Sequence, residues 1–103
     1  MTPAVLHILL SLAAEDRHGL GIAADVKAFT NGRLALGPGT LYGTIKRLLD
    51  ARLLEDLGSP AAEDDDPRRR YYRITPKGRR ALELETEGMA SVLGVARRRL
   101  RTP

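Results

Sequence analysis

From Gly37 to Leu54 the chain reads Gly-Pro-Gly-Thr-Leu-Tyr-Gly-Thr-Ile-Lys-Arg-Leu-Leu-Asp-Ala-Arg-Leu-Leu, a pattern that specifies an amphipathic helix. Pro38 suits the first helical position, where a missing N–H costs nothing and φ is already helical. Leu41, Ile45, Leu48 and Leu49 then recur at helical spacing and form one apolar stripe. At about 100° per residue, Thr40, Gly43, Arg47 and Asp50 fall on the opposite side, with Tyr42 and Lys46 on its flank. One face suits a core, while the other offers hydroxyls, a phenol and two cations, which is the chemistry of major-groove reading. Taken alone, the segment fits an ordinary surface helix equally well. Its neighbours have to decide.

Before it, residues 3–14 are apolar nearly all round and read as a buried first helix, with Thr2 as cap and Pro3 in the first turn. Glu15 to Gly19 is polar punctuation. A second, shorter amphipathic helix over residues 20–30 carries Leu20, Ile22, Ala23, Val26, Ala28 and Phe29, and Asn31-Gly32 is its stop signal. The Arg-Leu-Ala-Leu run at 33–36 has room for a brief strand. After the third helix, Leu53 to Leu57 and Arg69 to Ile74 read as two short strands of a hairpin with a long tip. Tyr71 and Tyr72 are neighbours on a strand, so one belongs to the core and one faces out. Thr75-Pro76 opens a last helix as cap and first-turn residue. Its apolar face runs through Ala81, Leu82, Leu84, Met89, Val92, Leu93, Ala96 and Leu100. Acidic residues lie in its first half and Arg97, Arg98, Arg99 and Arg101 in its last turns, matching the macrodipole.

Three helices followed by a hairpin make a winged helix-turn-helix, in which the third helix enters a groove and the hairpin touches the backbone beside it. The expected fold is mainly α with a small β-hairpin. Residues 1–75 form the winged unit and 76–103 a C-terminal dimerisation helix. The charge distribution agrees with a nucleic-acid footprint. Residues 53–67 hold six acidic side chains and no basic one, and residues 68–80 hold seven basic and no acidic.

The stretches His18-Gly-Leu-Gly-Ile22, Gly37-Pro-Gly-Thr-Leu-Tyr42, Lys46-Arg-Leu-Leu-Asp-Ala-Arg-Leu-Leu54 and Arg70-Tyr-Tyr-Arg-Ile-Thr-Pro-Lys-Gly-Arg79 together resemble the PadR family of bacterial transcriptional regulators. The resemblance implies a homodimer held by the C-terminal and first helices, bound to an inverted-repeat operator in double-stranded DNA and usually repressing. Leu6, Leu9, Leu82, Met89, Val92, Leu93, Ala96 and Leu100 are then the interface candidates. The family often has an aromatic residue where this chain has Leu20, a capping Ser where it has Gly37, and a basic wing tip where it has Glu63 to Asp66. The single short C-terminal helix is similar to the family's small branch and leaves little room for a separate effector domain. No effector is identified.

DNA contacts are expected from Thr40, Tyr42, Gly43, Lys46 and Arg47 on the helix, and from Arg68, Arg69, Arg70 and Arg73 on the wing. Alternate residues of a strand face opposite ways, so two of those four arginines are expected to be ligands. Glu63 to Asp66 is expected to fold back on Arg68–Arg70 and lower nonspecific affinity rather than bind a metal ion. His7 and His18 sit on separate segments without carboxylate partners, and His18 reads as a turn residue. Gly37-Pro38-Gly39 lacks the spacing of a phosphate loop. Ser11, Ser59 and Ser91 have no evident base, so the expectation is a protein that is no enzyme and needs no cofactor or metal. A drug pocket at Met89, Val92 and Leu93 is the alternative to a dimer seam, and a protein-docking module is the alternative to DNA binding. The absence of Cys suits a reducing cytoplasm. The apolar run at residues 3–14 is too short for a bilayer and lacks the basic flank of a signal peptide, so no membrane association is expected.

Overall fold

Each helix starts where its cap lies. The structure, a computed structural model, describes residues 1–59 and 69–101. Helix α1 (Pro3–Ala14) begins behind Thr2, whose hydroxyl accepts from the Val5 N–H at 3.2 Å. Helix α2 (Gly19–Phe29) is capped by His18, whose Nδ1 accepts from the Gly21 N–H at 3.0 Å. Helix α3 (Pro38–Asp50) follows Gly37, which has no side chain to cap with. Helix α4 (Pro76–Leu100) follows Thr75, whose hydroxyl accepts from the Gly78 N–H at 3.0 Å. Three of the four ends are thus satisfied by a side chain at the position where an N-cap belongs.

The α2 and α3 C-termini close in the same way. Asn31 and Arg52 take left-handed conformations, with φ of 54° and 60°. Behind them Gly32 N–H donates to Lys27 O (2.8 Å) and Leu53 N–H to Leu48 O (2.9 Å). These six-to-one bonds are Schellman closures. Arg52 performs there a task usually given to glycine.

Among the described residues three strands, not two, make the sheet. Strands β1 (Arg17–His18), β2 (Leu54–Gly58) and β3 (Tyr71–Ile74) are antiparallel in the order β1-β3-β2. The register pairs Arg17 with Tyr72, Glu55 with Arg73, and Leu54 with Ile74, with a bulge between Asp56 and Gly58. The expected brief strand at residues 33–36 is absent there, and the extra strand comes instead from the polar link after α1. Two residues are too few for an alternation pattern to register. β3 therefore lies in the middle with both edges paired.

The core is built around α1, which touches α2, α3, α4 and β3. Ile8, Leu9 and Leu12 meet Ile22 and Val26 of α2, Leu41, Ile45 and Leu48 of α3, Leu54, Tyr72 and Ile74 of the sheet, and Leu82 of α4. Tyr72 is the core tyrosine of the pair, and Tyr71 is half-buried on the other face. The start of α4 is locked to the α3–β2 junction. Thr75 N–H donates to Leu53 O (3.0 Å), its hydroxyl to Arg52 O (2.7 Å), and the Lys77 ammonium to Ala51 O (3.1 Å). A Cβ on Gly78 would run into the Leu53 carbonyl oxygen, so only glycine lets the helix come this close.

A candidate nucleic-acid interface

The stripe on α3 does what its spacing predicts. Leu41, Ile45 and Leu48 are buried, while Thr40, Tyr42, Gly43, Lys46, Arg47 and Asp50 are exposed on the other side. Thr44, a residue the periodicity did not single out, is fully buried, and its hydroxyl accepts from the Arg47 guanidinium at 3.3 Å. That bond steadies one edge of the Arg47 fork and leaves the rest of it for a ligand. Gly39 and Gly43 have open space where a Cβ would be, so the outer surface of the helix is smooth at both positions.

Tyr42 is held from beneath. Its ring crosses Gly19 at the start of α2, where an added Cβ would lie 2.7 Å from the phenol oxygen. Beside it opens a hollow of about 460 Å³, lined by His18, Leu20, Tyr42, Arg69, Arg70 and Tyr72, which joins α2, the exposed helix and the wing. His18 shapes its wall twice over. Its Nδ1 caps α2, and its ring stands edge-on to Tyr71 at 5.3 Å. The expectation of a turn residue at His18 misses this capping role. Leu20, at the position where the family often has an aromatic residue, is exposed at the rim.

The wing arginines are largely engaged within the chain. Arg70 Nε donates to Asp56 at 2.8 Å. Arg73 grips Asp16 with two bonds, Nε to Oδ1 at 3.2 Å and Nη2 to Oδ2 at 2.7 Å, and lies 4.0 Å from Glu55. The Arg73 hydrogen bond holds the Asp16 carboxyl below the usual carboxylate range, against the opposing effect of burial. The Arg70 hydrogen bond does the same for Asp56, again against burial, with the Gly58 N–H assisting. Burial, followed by the Asp56 charge, pushes the Tyr72 phenol up. Arg73, expected among the DNA ligands, is thus a tie between β3 and the α1–β1 corner and does not line the hollow. Arg70 reaches the hollow from its ion pair, and Arg69 lies exposed beside it. Arg68 and the acidic run Glu63 to Asp66 fall outside the described residues. Among the described residues, Asp16 and Asp56, not singled out by the sequence, are the acids hydrogen-bonded to Arg73 and Arg70.

The expected dimer residues divide. Leu9 is fully buried and Leu82 is 7% exposed, both inside the chain's own core, so neither is available to a second copy. They are apolar for the fold's sake, since α1 and the first turns of α4 pack on each other. Leu6 is half-buried against the same core. Met89, Val92, Leu93 and Leu100 are exposed, and Ala96 is half-buried. His7 ties helices together: its Nδ1 lies 2.6 Å from Pro3 O, and its ring stacks on Phe29 at 5.8 Å. Among the described residues no three His, Asp or Glu side chains converge as a metal site would require, and no helix is long and apolar enough to cross a membrane.

Comparison with known proteins adds three findings. The model of the transcriptional regulator PadR-like family matches residues 5–84. Among sequence relatives, an uncharacterized 37.1 kDa protein in transposon Tn4556 of Streptomyces fradiae is 36% identical over 87 residues. Uncharacterized protein X of Lysinibacillus sphaericus is 31% identical over 72 residues. These matches take in 84% and 70% of this chain, but only 23% and 64% of the lengths of the two relatives. Among solved structures, a PadR family transcription regulator from Clostridium difficile superposes with a TM-score of 0.78 at 24% identity, covering 97% of this chain and 100% of that one. RosR of H. salinarum superposes with a TM-score of 0.69 at 26% identity, covering 88% of this chain and 76% of that one.

Proposed function

Because the chain belongs to the transcriptional regulator PadR-like family, we propose that it is a sequence-specific DNA-binding regulator that represses from an inverted-repeat operator as a homodimer. The observation that carries this reading is the exposed face of α3, where Thr40, Tyr42, Lys46 and Arg47 stand together on a helix whose other face is core. Lys46 serves a phosphate and Arg47 a guanine edge, while Thr40 and Tyr42 take a phosphate or a base and Gly43 allows close approach. Arg69 and Arg70 hold the backbone beside the hollow. Residues 1–75 bind DNA, and the exposed strip of α4 in residues 76–103 joins the two copies. Such a protein works where the DNA is, in the cytoplasm, and calls for no catalysis or cofactor.

The rival is a winged helix that docks a partner protein. Selecting bound duplexes from a random pool, then titrating the winning sequence over a range of salt, separates the two. Neutralised phosphates release counterions, so log affinity should fall steeply and linearly with log salt. Failure to enrich any duplex, or a flat salt response, would overturn the DNA reading in favour of docking.

A further inference from the structure

The buried side of α3 is apolar except at one position. Thr44 stands between Leu41 and Leu48 and has 0% exposure, yet it carries a hydroxyl. A buried hydroxyl needs a partner. Among the described residues it makes one hydrogen bond, accepted from Nη2 of Arg47 at 3.3 Å. Helical side chains lean toward the N-terminus, so Arg47 reaches back to the seam between the core and the exposed face. Another acceptor lies in the opposite direction. Asp50 stands three positions ahead, the spacing at which Arg80 pairs with Glu83 on α4 at 3.5 Å. Among the described residues Arg47 forms no ion pair and turns to Thr44 instead. We propose that Thr44 is a specificity-determining positioning residue, which aims the Arg47 guanidinium at a base edge. The proposal rests on the DNA reading given above and adds what makes one of its contacts selective.

The neutrality of the partner matters. Arg70 and Arg73 on the wing are each bonded to a carboxylate, which orients them but also offsets their charge. A hydroxyl fixes Arg47 without taking its charge. Reading guanine requires two N–H groups of the fork to meet O6 and N7 together, so direction counts as much as charge. A guanidinium free to swing serves a phosphate as readily as a base, and its contact then carries no sequence information. One that is already anchored loses less freedom on binding. Thr44 can hold Arg47 steadily because its own side chain is locked in the core, and a β-branched residue in a helix has few rotamers to choose from. A core position thus controls selectivity without touching DNA.

Thr44→Val keeps the shape and removes the hydroxyl. It leaves no buried group unpaired, because water takes up the released guanidinium, so the fold should hold. The full-length variants are titrated with the duplex enriched from a random pool and with a scrambled one. Thr44→Val should weaken the enriched duplex about fivefold, the worth of one hydrogen bond, and leave the scrambled duplex unchanged. Thr44→Ser, which restores the hydroxyl, should bind as the wild type does. Thr44→Ala, a second variant without the hydroxyl, should repeat the selectivity loss below its own melting temperature. In an Arg47→Ala background Thr44→Val should change nothing further, since a residue acting through Arg47 has nothing left to aim. Equal losses on both duplexes, additive losses with Arg47→Ala, or a Thr44→Ser protein as weak as Thr44→Val would overturn the proposal. So would a Thr44→Val protein with wild-type selectivity where Arg47→Ala loses it, and the DNA reading would then stand. An Arg47→Ala protein with full selectivity removes the contact that Thr44 would aim, and the proposal falls with it. Failure to enrich any duplex sinks the DNA reading itself.

Discussion

The ring of Tyr42 lies across Gly19, so close that a Cβ there would sit 2.7 Å from the phenol oxygen. The first residue of α2 therefore sets the position of a side chain on the exposed face of α3. Gly19→Ala should displace the ring while leaving the fold intact, since alanine suits a helix better than glycine does. DNA affinity should fall roughly tenfold, about 1.4 kcal/mol, with the melting temperature little changed. Equal affinity for the two proteins in a fluorescence titration would show that Tyr42 does not depend on Gly19 for its contact.

Lys46→Ala and Arg47→Ala should separate by type of contact. Loss of a phosphate partner at Lys46 should weaken all duplexes alike and lower the salt slope by about one. Loss of a base contact at Arg47 should cost about 1–3 kcal/mol on the preferred duplex and relax its specificity. Both side chains face outward, so thermal unfolding should be unaffected. A specificity profile unchanged in both variants would remove the sequence-reading role from this helix.

Asp16 titrates below the usual carboxylate range because of Arg73, and Asp56 because of Arg70. A carboxyl with a depressed folded value stabilises the native state when ionised. That contribution is complete above the unfolded value of about 4 and is lost as pH falls through the folded one. Asp16→Asn should therefore be less stable than the wild type at neutral pH, and the gap should narrow as pH drops below about 4. All four groups are at least partly solvated, so the difference should be small and should shrink with added salt. Denaturant melts across pH would detect it, and a gap that widened on acidification would contradict the assignment.

Arg52 closes α3 at φ 60°, a conformation that costs a side-chain-bearing residue roughly 1–2 kcal/mol. Arg52→Gly should relieve part of that, and the more flexible unfolded chain should take some of it back. A net gain of up to about 1 kcal/mol, or about 4–8 °C in Tm for a domain of this size, is expected. Calorimetry showing a loss of stability would mean that the Arg52 side chain supplies a contact of greater worth.

What could be read in advance follows periodicity and punctuation. The α3 stripe, the caps Thr2 and Thr75 and the stop at Asn31-Gly32 depend on residues near one another in sequence, and local spacing carries them. The third strand, the Asp16–Arg73 grip and the crossing of Tyr42 over Gly19 join distant segments, and one residue's identity says nothing about which distant partner it meets. The dimer candidates mark the same boundary. An apolar residue on α4 looks alike whether it faces α1, as Leu82 does, or solvent, as Val92 does. Only the packed fold separates them.

Gly78 against the Leu53 carbonyl, with Thr75 and Lys77 bonded to the same turn, welds the base of α4 to the end of α3. The 25-residue helix is then a lever arm of about 37 Å with the winged head mounted at one end. Tilting it by about 10° at the far end would swing the head by about 6 Å, given that length. In a two-fold pair both heads swing together, so the distance between the two α3 helices becomes a gauge of the crossing angle between two levers. Paired spin labels on Lys46 would read that gauge directly. A change in their separation without any change inside either head is the signature of this gearing.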